Sequence, residues 1–215
     1  MMLRESIKAT IRQYLIENDS KSDLYSDIIY GDNFNIFKNK IKSYHGRIED
    51  GLIVKFYIRE YLKHYDVKEL DNLTSWNEFT DAVHNIWDNQ KTTPDQEIVF
   101  RRNDSDSDVM FFSNDINVAS VYRGDLNAYI LNFKDPYIID CKDSTWMDID
   151  EPKIMKGTSF DGKVSTDNVI DFMIGKGFDG VVFLNLYEGS GADIFGPSNV
   201  YVSLDKDNII NLTNN

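Results

Sequence analysis

The chain has 215 residues, of which 41% are hydrophobic and 13% aromatic, with 4 prolines. This composition is typical of a folded globular protein, because disordered chains lack the apolar surface that offsets the entropy of ordering. The formal net charge of −13 repels phosphate backbones and disfavours general nucleic-acid binding, while the apolar runs are too short to cross a bilayer.

The N-terminal part of the chain carries a helical pattern. Apolar residues recur at helical spacing in the first segment, namely Leu3, Ile7, Ile11 and Leu15. A second apolar stripe of the same kind lies between Ile48 and Tyr65. The stretch Ser75–Glu78 has the spacing of a capping box, in which a hydroxyl and a carboxylate satisfy opposite free amides. Residues 1–92 are therefore predicted to form a helical N-terminal region.

The pattern changes at the polar stretch Asn89–Asp95, which contains a proline and marks the boundary of a second domain over residues 96–215. Short strand-like runs follow at 98–100, 109–112, 129–133, 137–139, 181–184 and 200–202. Two helices are predicted between them, about Asp115–Tyr122 and about Thr166–Ile174, the second closed by Gly175 or Gly177. Many strands with few helices predict an α+β fold and not a parallel βαβ one.

Residue types that bind metals do not form a recognisable pattern. Cys141 is the only cysteine, and His45, His64 and His84 lack the helical spacing of a metal pair. The run Asp104-Ser105-Asp106-Ser107-Asp108 begins like a calcium loop but lacks the turn glycine and the final bidentate glutamate. No metal site is predicted. The N-terminus also lacks the apolar core of a signal peptide, which predicts a cytoplasmic protein.

Several segments of the second domain resemble the ADP-ribosyltransferase superfamily, closest to the compact forms of phage polyvalent proteins and related effectors. In chain order they are Val99-Phe100-Arg101-Arg102, Phe111–Asp115 with Ala119 and Tyr122, Asn132–Asp140 with Trp146, Gly177–Val182, and Val200–Val202 with Ile209-Ile210. The resemblance covers about residues 97–212, and Phe111–Tyr122 is also similar to the nicotinamide-binding segment of diphtheria-type toxins. It implies a split β-sheet core and NAD as a cosubstrate held without metal.

The resemblance implies an NAD-binding role for several side chains. Phe112 and Tyr122 would flank the nicotinamide ring, with an ordinary core contact as the alternative. Arg101 would bind ribose and phosphate oxygens with its forked guanidinium, whereas Arg102 would point to the opposite face of the strand. Ser113 would contact the ribose and cap the following helix. His45 competes with Arg101 because Tyr44-His45-Gly46 resembles the first motif of the histidine subtype.

The catalytic carboxylate would lie on a late strand or its loop. Glu188 follows Gly180 by eight residues and matches the family position with Glu in place of Asp. It would bond a ribose hydroxyl and stabilise the cationic transition state, together with Arg101 as the second catalytic residue. Asp193 and Asp205 remain alternatives, and Asp179 in the Gly-Phe-Asp-Gly turn is predicted to be structural.

The resemblance implies a mono-ADP-ribosyltransferase that moves ADP-ribose from NAD to a protein side chain. Nothing in the sequence identifies the acceptor protein. The alternatives are a catalytically inactive domain that serves as a binding or virion-associated module, and an NAD glycohydrolase in which water replaces the acceptor. By analogy with the phage-like relatives, the protein belongs to a mobile element and acts as a toxin or effector, in the cytoplasm, on a virion or delivered into a host cell.

Overall fold

The computed structural model describes residues 34–42, 51–94, 96–103, 109–157, 162–188 and 195–213. The chain divides into two compact units, Met1–Asn89 and Gln90–Asn215. The boundary predicted from the sequence, between residues 92 and 96, lies slightly farther along the chain. Among the described helices, none combines the length and the apolar character that spanning a membrane requires.

The described part of the first unit is helical. Helix α1 spans Phe34–Lys42, α2 spans Leu52–His64 and α3 spans Trp76–Asp88, with a 3₁₀ helix at Val67–Asn72 between the last two. The apolar stripes predict this arrangement, because each helix turns one face inward. The buried face of α3 carries Trp76, Phe79, Val83 and Trp87.

The start of α3 differs from the predicted capping box in one half. The Ser75 hydroxyl accepts a hydrogen bond from the Glu78 amide, as expected of an N-cap. The Glu78 carboxylate, however, accepts from the amide and hydroxyl of Thr74. Thr74 supplies two donors one residue earlier, and the Ser75 amide is a further, weaker partner of the same carboxylate.

The second unit contains nine strands and two α-helices among its described residues. The strands are β1 (Ile98–Asn103), β2 (Met110–Ser113), β3 (Asp125–Leu131), β4 (Pro136–Thr145), β5 (Ile149–Asp150), β6 (Lys163–Val164), β7 (Gly180–Tyr187), β8 (Ser198–Ser203) and β9 (Ile209–Asn211). Helix α4 spans Ile116–Ser120 and α5 spans Thr166–Ile174. Helix α5 has the predicted bounds, whereas α4 is shorter than the predicted helix at both ends.

Seven strands form one sheet in the order β4–β7–β8–β2–β1–β3–β9, and β5 pairs with β6 in a second, two-stranded sheet. All pairs in the large sheet are antiparallel except β4 with β7, which are parallel. The predicted α+β class is therefore confirmed. Main-chain hydrogen bonds join all seven strands into one sheet. The predicted split of the core into two sheets around a cleft is therefore not shown and stays a prediction.

The Gly-Phe-Asp-Gly turn before β7 holds three segments together. The Asp179 carboxylate accepts hydrogen bonds from the amides of Lys134 and Asp135 and from the Asn208 side chain. A Cβ on Gly180 would lie 2.4 Å from the Phe133 ring, so only glycine leaves room for that ring. The structural role predicted for Asp179 is confirmed by these bonds.

Some sequence predictions fall outside the described residues and have no structural outcome. They are the helix containing Leu3 and Leu15, the alternative site residues His45 and Asp193, and the acidic run Asp104–Asp108.

Candidate functional site

A cleft of about 400 Å³ opens in the second unit, within the size range usual for small-molecule sites. Residues from β1, β2, α4, the start of α5 and the ends of β4 and β7 line it. All five side chains that the resemblance implicates are among them: Arg101, Phe112, Ser113, Tyr122 and Glu188. Segments far apart in the sequence therefore meet at one cavity.

One side of the cleft is fixed by main-chain bonds among three elements. The Trp146 amide, just after β4, donates to the Tyr187 carbonyl at 3.2 Å. The Trp146 carbonyl accepts from the Thr166 amide at the start of α5, at 2.8 Å. Trp146 lines the cleft with 37% of its side chain exposed, so its ring is available to a ligand.

A bulge in β7 determines where Glu188 lies. Asn185 has a left-handed backbone with φ 55°, and the pairing with β8 shifts between Phe183 and Leu186. The side-chain amide of Asn185 donates to the Asp140 carboxylate, and its main-chain amide donates to the side-chain oxygen of Asn199. These two hydrogen bonds hold the bulge to β4 and to β8. Strand β7 then ends at Tyr187, with Glu188 as the next residue at the cleft.

Glu188 is bonded across the cleft. The Tyr122 hydroxyl, which follows α4, donates to the Glu188 Oε2. Burial raises the pKa of the Glu188 carboxyl, and the Tyr122 hydrogen bond acts against this by lowering it. The pKa of Tyr122 is raised well above its usual range, by burial first and then by the Glu188 charge. Tyr122 therefore remains a hydrogen-bond donor at neutral pH.

The two phenylalanines of β2 have different surroundings. Phe100 pairs with Ser113 across β1 and β2, so alternation puts Phe111 and Ser113 on one face and Phe112 on the other. Phe111 is 39% exposed at the cleft, whereas Phe112 is 2% exposed and packs edge-on against Tyr129 with ring centres 5.1 Å apart. This arrangement favours the core role that the sequence left open for Phe112. Phe111 is the exposed ring that the sequence interpretation missed.

The two arginines of β1 also differ. Arg102 donates from Nε to the Gly124 carbonyl and from Nη1 to the Ser120 carbonyl, which ties the end of α4 to the sheet. The Arg101 guanidinium lies over the Phe112 ring, 5.7 Å from its centre, and its Nη1 is buried. Both residues line the cleft, and alternation along β1 puts Arg102, rather than Arg101, on the face that carries Phe111 and Ser113.

Ser113 does not cap α4 as predicted. Its buried hydroxyl accepts from the Asp115 amide at 3.1 Å and donates to the Ser198 hydroxyl at 3.3 Å. Asp115 is the N-cap of α4, since its carboxylate accepts from the Asn117 amide at 2.8 Å. Asp115 is the N-cap residue because α4 begins at Ile116, one residue later than predicted. Ser113 instead joins β2 to β8 at the cleft.

Two other reactive side chains of the unit, Asp205 and Cys141, are in different surroundings and do not line this cleft. Asp205, the alternative acid, caps the 3₁₀ helix Lys206–Asn208 by accepting from the Asp207 amide. Burial raises the pKa of Cys141 to about 12, so its thiol is not a nucleophile at neutral pH. Among the described residues there is no group of three metal-ligating side chains that could hold an ion.

Comparisons with known proteins do not identify a relative. No protein-family model matches the chain, and no curated protein or solved structure matches it either.

Proposed function

We propose that the second unit is a mono-ADP-ribosyltransferase that transfers ADP-ribose from NAD to a protein side chain. The observation that carries the proposal is that all five implicated residues line one cleft, where Tyr122 and Glu188 are hydrogen-bonded to each other. The Tyr122–Glu188 hydrogen bond joins two of them over 66 positions of sequence, so the motifs meet in space as well as in order. In this proposal the core is of the split-sheet type, with the cleft at the junction of its halves, and the protein acts as a mobile-element effector.

The cleft offers the groups that cleavage of NAD requires. Nicotinamide leaves with the bonding electron pair as the acceptor oxygen or nitrogen attacks the ribose carbon and loses its proton. The ribose becomes cation-like on the way, as in glycoside cleavage, and an ionised Glu188 beside it stabilises that charge. The exposed rings Phe111, Tyr122 and Trp146 offer faces for the flat nicotinamide cation.

Among the residues that the structure describes, two arginines and two acids line the cleft: Arg101, Arg102, Asp167 and Glu188. The resemblance assigns Arg101 to ribose and phosphate oxygens. Arg102 is bonded to the carbonyls of Gly124 and Ser120. The start of α5 is less suited to phosphate. Its Ser165–Asn168 capping box already satisfies free amides, and Asp167 adds a negative charge in the first turn.

The second candidate is an inactive module that binds NAD without cleaving it. Burial raises the pKa of Glu188, and the same burial disfavours the negative charge that would stabilise a cationic transition state. An NAD glycohydrolase would use the same residues with water as the acceptor.

The deciding experiment incubates the full chain with NAD labelled in its adenylate part and a cell lysate as the source of acceptors. Label on protein supports the transferase, free labelled ADP-ribose supports the glycohydrolase, and binding without turnover supports the inactive module. Glu188→Gln should lower turnover about a hundredfold or more with little change in NAD affinity. Tyr201→Phe is the matched control, because its hydroxyl bonds another carboxylate, Glu97, and both lie outside the cleft lining.

A further inference from the structure

The hydrogen bond between Tyr122 and Glu188 joins residues that follow two different elements at the cleft, α4 and β7. Tyr122 follows α4, whose end is tied to β1 by the Arg102 bonds. Glu188 follows β7, whose end is tied to Trp146 through the Tyr187 carbonyl. The hydrogen bond between the two side chains therefore fixes the position of the Glu188 carboxylate relative to α4.

We propose that Tyr122 is a positioning residue for Glu188: its hydroxyl holds one carboxylate oxygen and favours the ionised carboxylate over the neutral carboxyl, and it leaves the other oxygen directed to a hydroxyl of the ligand. In the described part of the chain, Tyr122 is the one donor to this carboxylate. Oε2 is therefore occupied, and Oε1 is left for a second donor. A carboxylate with one oxygen held has a defined orientation, which a freely rotating side chain lacks.

The surroundings of Glu188 determine how strongly this hydrogen bond affects the ionisation of its carboxyl. Burial favours the neutral carboxyl, and the hydrogen bond from Tyr122 favours the ionised one. In the described ranges, the other titratable groups that line the cleft are Arg101 and Arg102 on β1 and Asp167 on α5. Arg102 is bonded to the Ser120 and Gly124 carbonyls, and Tyr122 is the side chain that contacts the carboxylate directly.

The part of this inference that concerns a ligand hydroxyl rests on the proposed function, in which the hydroxyl belongs to the nicotinamide ribose. The part that concerns ionisation does not, because it can be measured in the protein alone. Separate experiments, one without ligand and one with NAD, can therefore contradict one part without contradicting the other.

The first test is a titration of the Glu188 side-chain carboxyl by ¹³C NMR in the full chain, without any ligand. Tyr122→Phe keeps the ring and removes only the hydroxyl. The acid dissociation constant of Glu188 should fall about tenfold, the worth of one hydrogen bond to a charged group. Tyr201→Phe removes a hydroxyl from the Glu97 carboxylate in the same unit and should leave the Glu188 titration unchanged.

An unchanged Glu188 titration in Tyr122→Phe overturns the proposal, and so does an equal change in Tyr201→Phe. The near-ultraviolet circular dichroism of both variants is compared with that of the parent, so that a global unfolding is recognised. Should Tyr122→Phe unfold, Tyr122→Trp, which keeps an aromatic ring without the hydroxyl, is titrated in its place.

The second test is the pH profile of NAD turnover. In Tyr122→Phe the acid limb of kcat should move to higher pH, KM for NAD should change less than twofold, and kcat should recover at alkaline pH. A fall in kcat that is equal at every pH contradicts the ionisation role. If the parent shows no turnover of NAD, the proposed function fails, and the ligand-free titration alone decides the positioning role.

Discussion

The guanidinium carbon of Arg101 lies 5.7 Å from the centre of the Phe112 ring, and that ring in turn packs against Tyr129. Two residues assigned separately to NAD thus contact each other on the face of the sheet opposite to Ser113. A cation over an aromatic face is stabilised by the ring quadrupole, so Phe112 restricts the guanidinium of Arg101. Phe112 can therefore influence ligand binding through Arg101 without touching the ligand.

The two arginines of β1 should differ in what their loss affects. Arg101→Ala is expected to weaken NAD binding about tenfold, the equivalent of one lost charge-assisted hydrogen bond to the ligand. Arg102→Ala should instead lower the free energy of unfolding by about 1–3 kcal/mol, because two backbone carbonyls lose their donor. Calorimetric NAD titration and urea unfolding of both variants measure the two effects. A larger affinity loss in Arg102→Ala would move the binding role to that residue.

The two phenylalanines of β2 provide a second matched pair. Phe111→Leu removes an exposed ring face at the cleft and should weaken NAD binding about fivefold, with little effect on stability. Phe112→Leu should cost about 1 kcal/mol of stability, because the buried ring loses its edge contact with Tyr129 and its contact with Arg101. Thermal unfolding with and without NAD measures both. If Phe112→Leu weakened NAD binding more than Phe111→Leu, the ring that stacks on nicotinamide would be Phe112.

The elements that were predicted well are those with regular patterns. Helix α5 has the predicted bounds because Ser165 caps its start and glycines close its end. Strand β4 extends through Thr145, beyond the predicted apolar run, and contains Lys142 and Asp143 with left-handed backbones. It lies at the edge of the sheet, next to β7 alone in the strand order. Its second half, Cys141–Thr145, is mostly polar and charged, so the apolar pattern used to predict strands does not extend into it. Its parallel pairing with β7 is a long-range contact that no local pattern specifies.

The NAD-binding roles of the site residues stay predictions, but their positions in the structure can be compared with the sequence. Motif order identified five residues that line one cleft, but it placed the stacking ring at Phe112. The period of a strand could have corrected this, because Phe111 and not Phe112 shares a face with Ser113. The Tyr122–Glu188 bond could not be predicted, since it depends on how α4 and a bulged β7 are oriented in space.

Gly180 and Phe133 connect two of the motifs on which the resemblance depends. Gly180→Ala should lower the free energy of unfolding by about 1–3 kcal/mol, because its methyl group would overlap the Phe133 ring. Phe133→Leu in the same chain should restore part of that loss, as measured by urea unfolding of the single and double variants. Gly177→Ala is the control: it is strained at φ +85° but contacts nothing, so Phe133→Leu should not rescue it. Additive losses in the Gly180 double variant would contradict the contact.

Glu188→Gln should stabilise the protein at neutral pH. Burial raises the folded-state pKa of Glu188, so its favourable contribution is complete below the ordinary glutamate pKa and is lost as pH rises through the raised value. At pH 7 the parent therefore carries a disfavoured buried charge, and the variant should be more stable by about 1 kcal/mol. The difference should shrink towards pH 4, as thermal unfolding across that range would measure. Asp140→Asn is a control of opposite sign, because the Asn185 hydrogen bond lowers the pKa of Asp140 and its contribution is lost as pH falls. A parent more stable than Glu188→Gln at pH 7 would contradict this prediction, because the carboxylate would then be better stabilised than its burial and single donor imply.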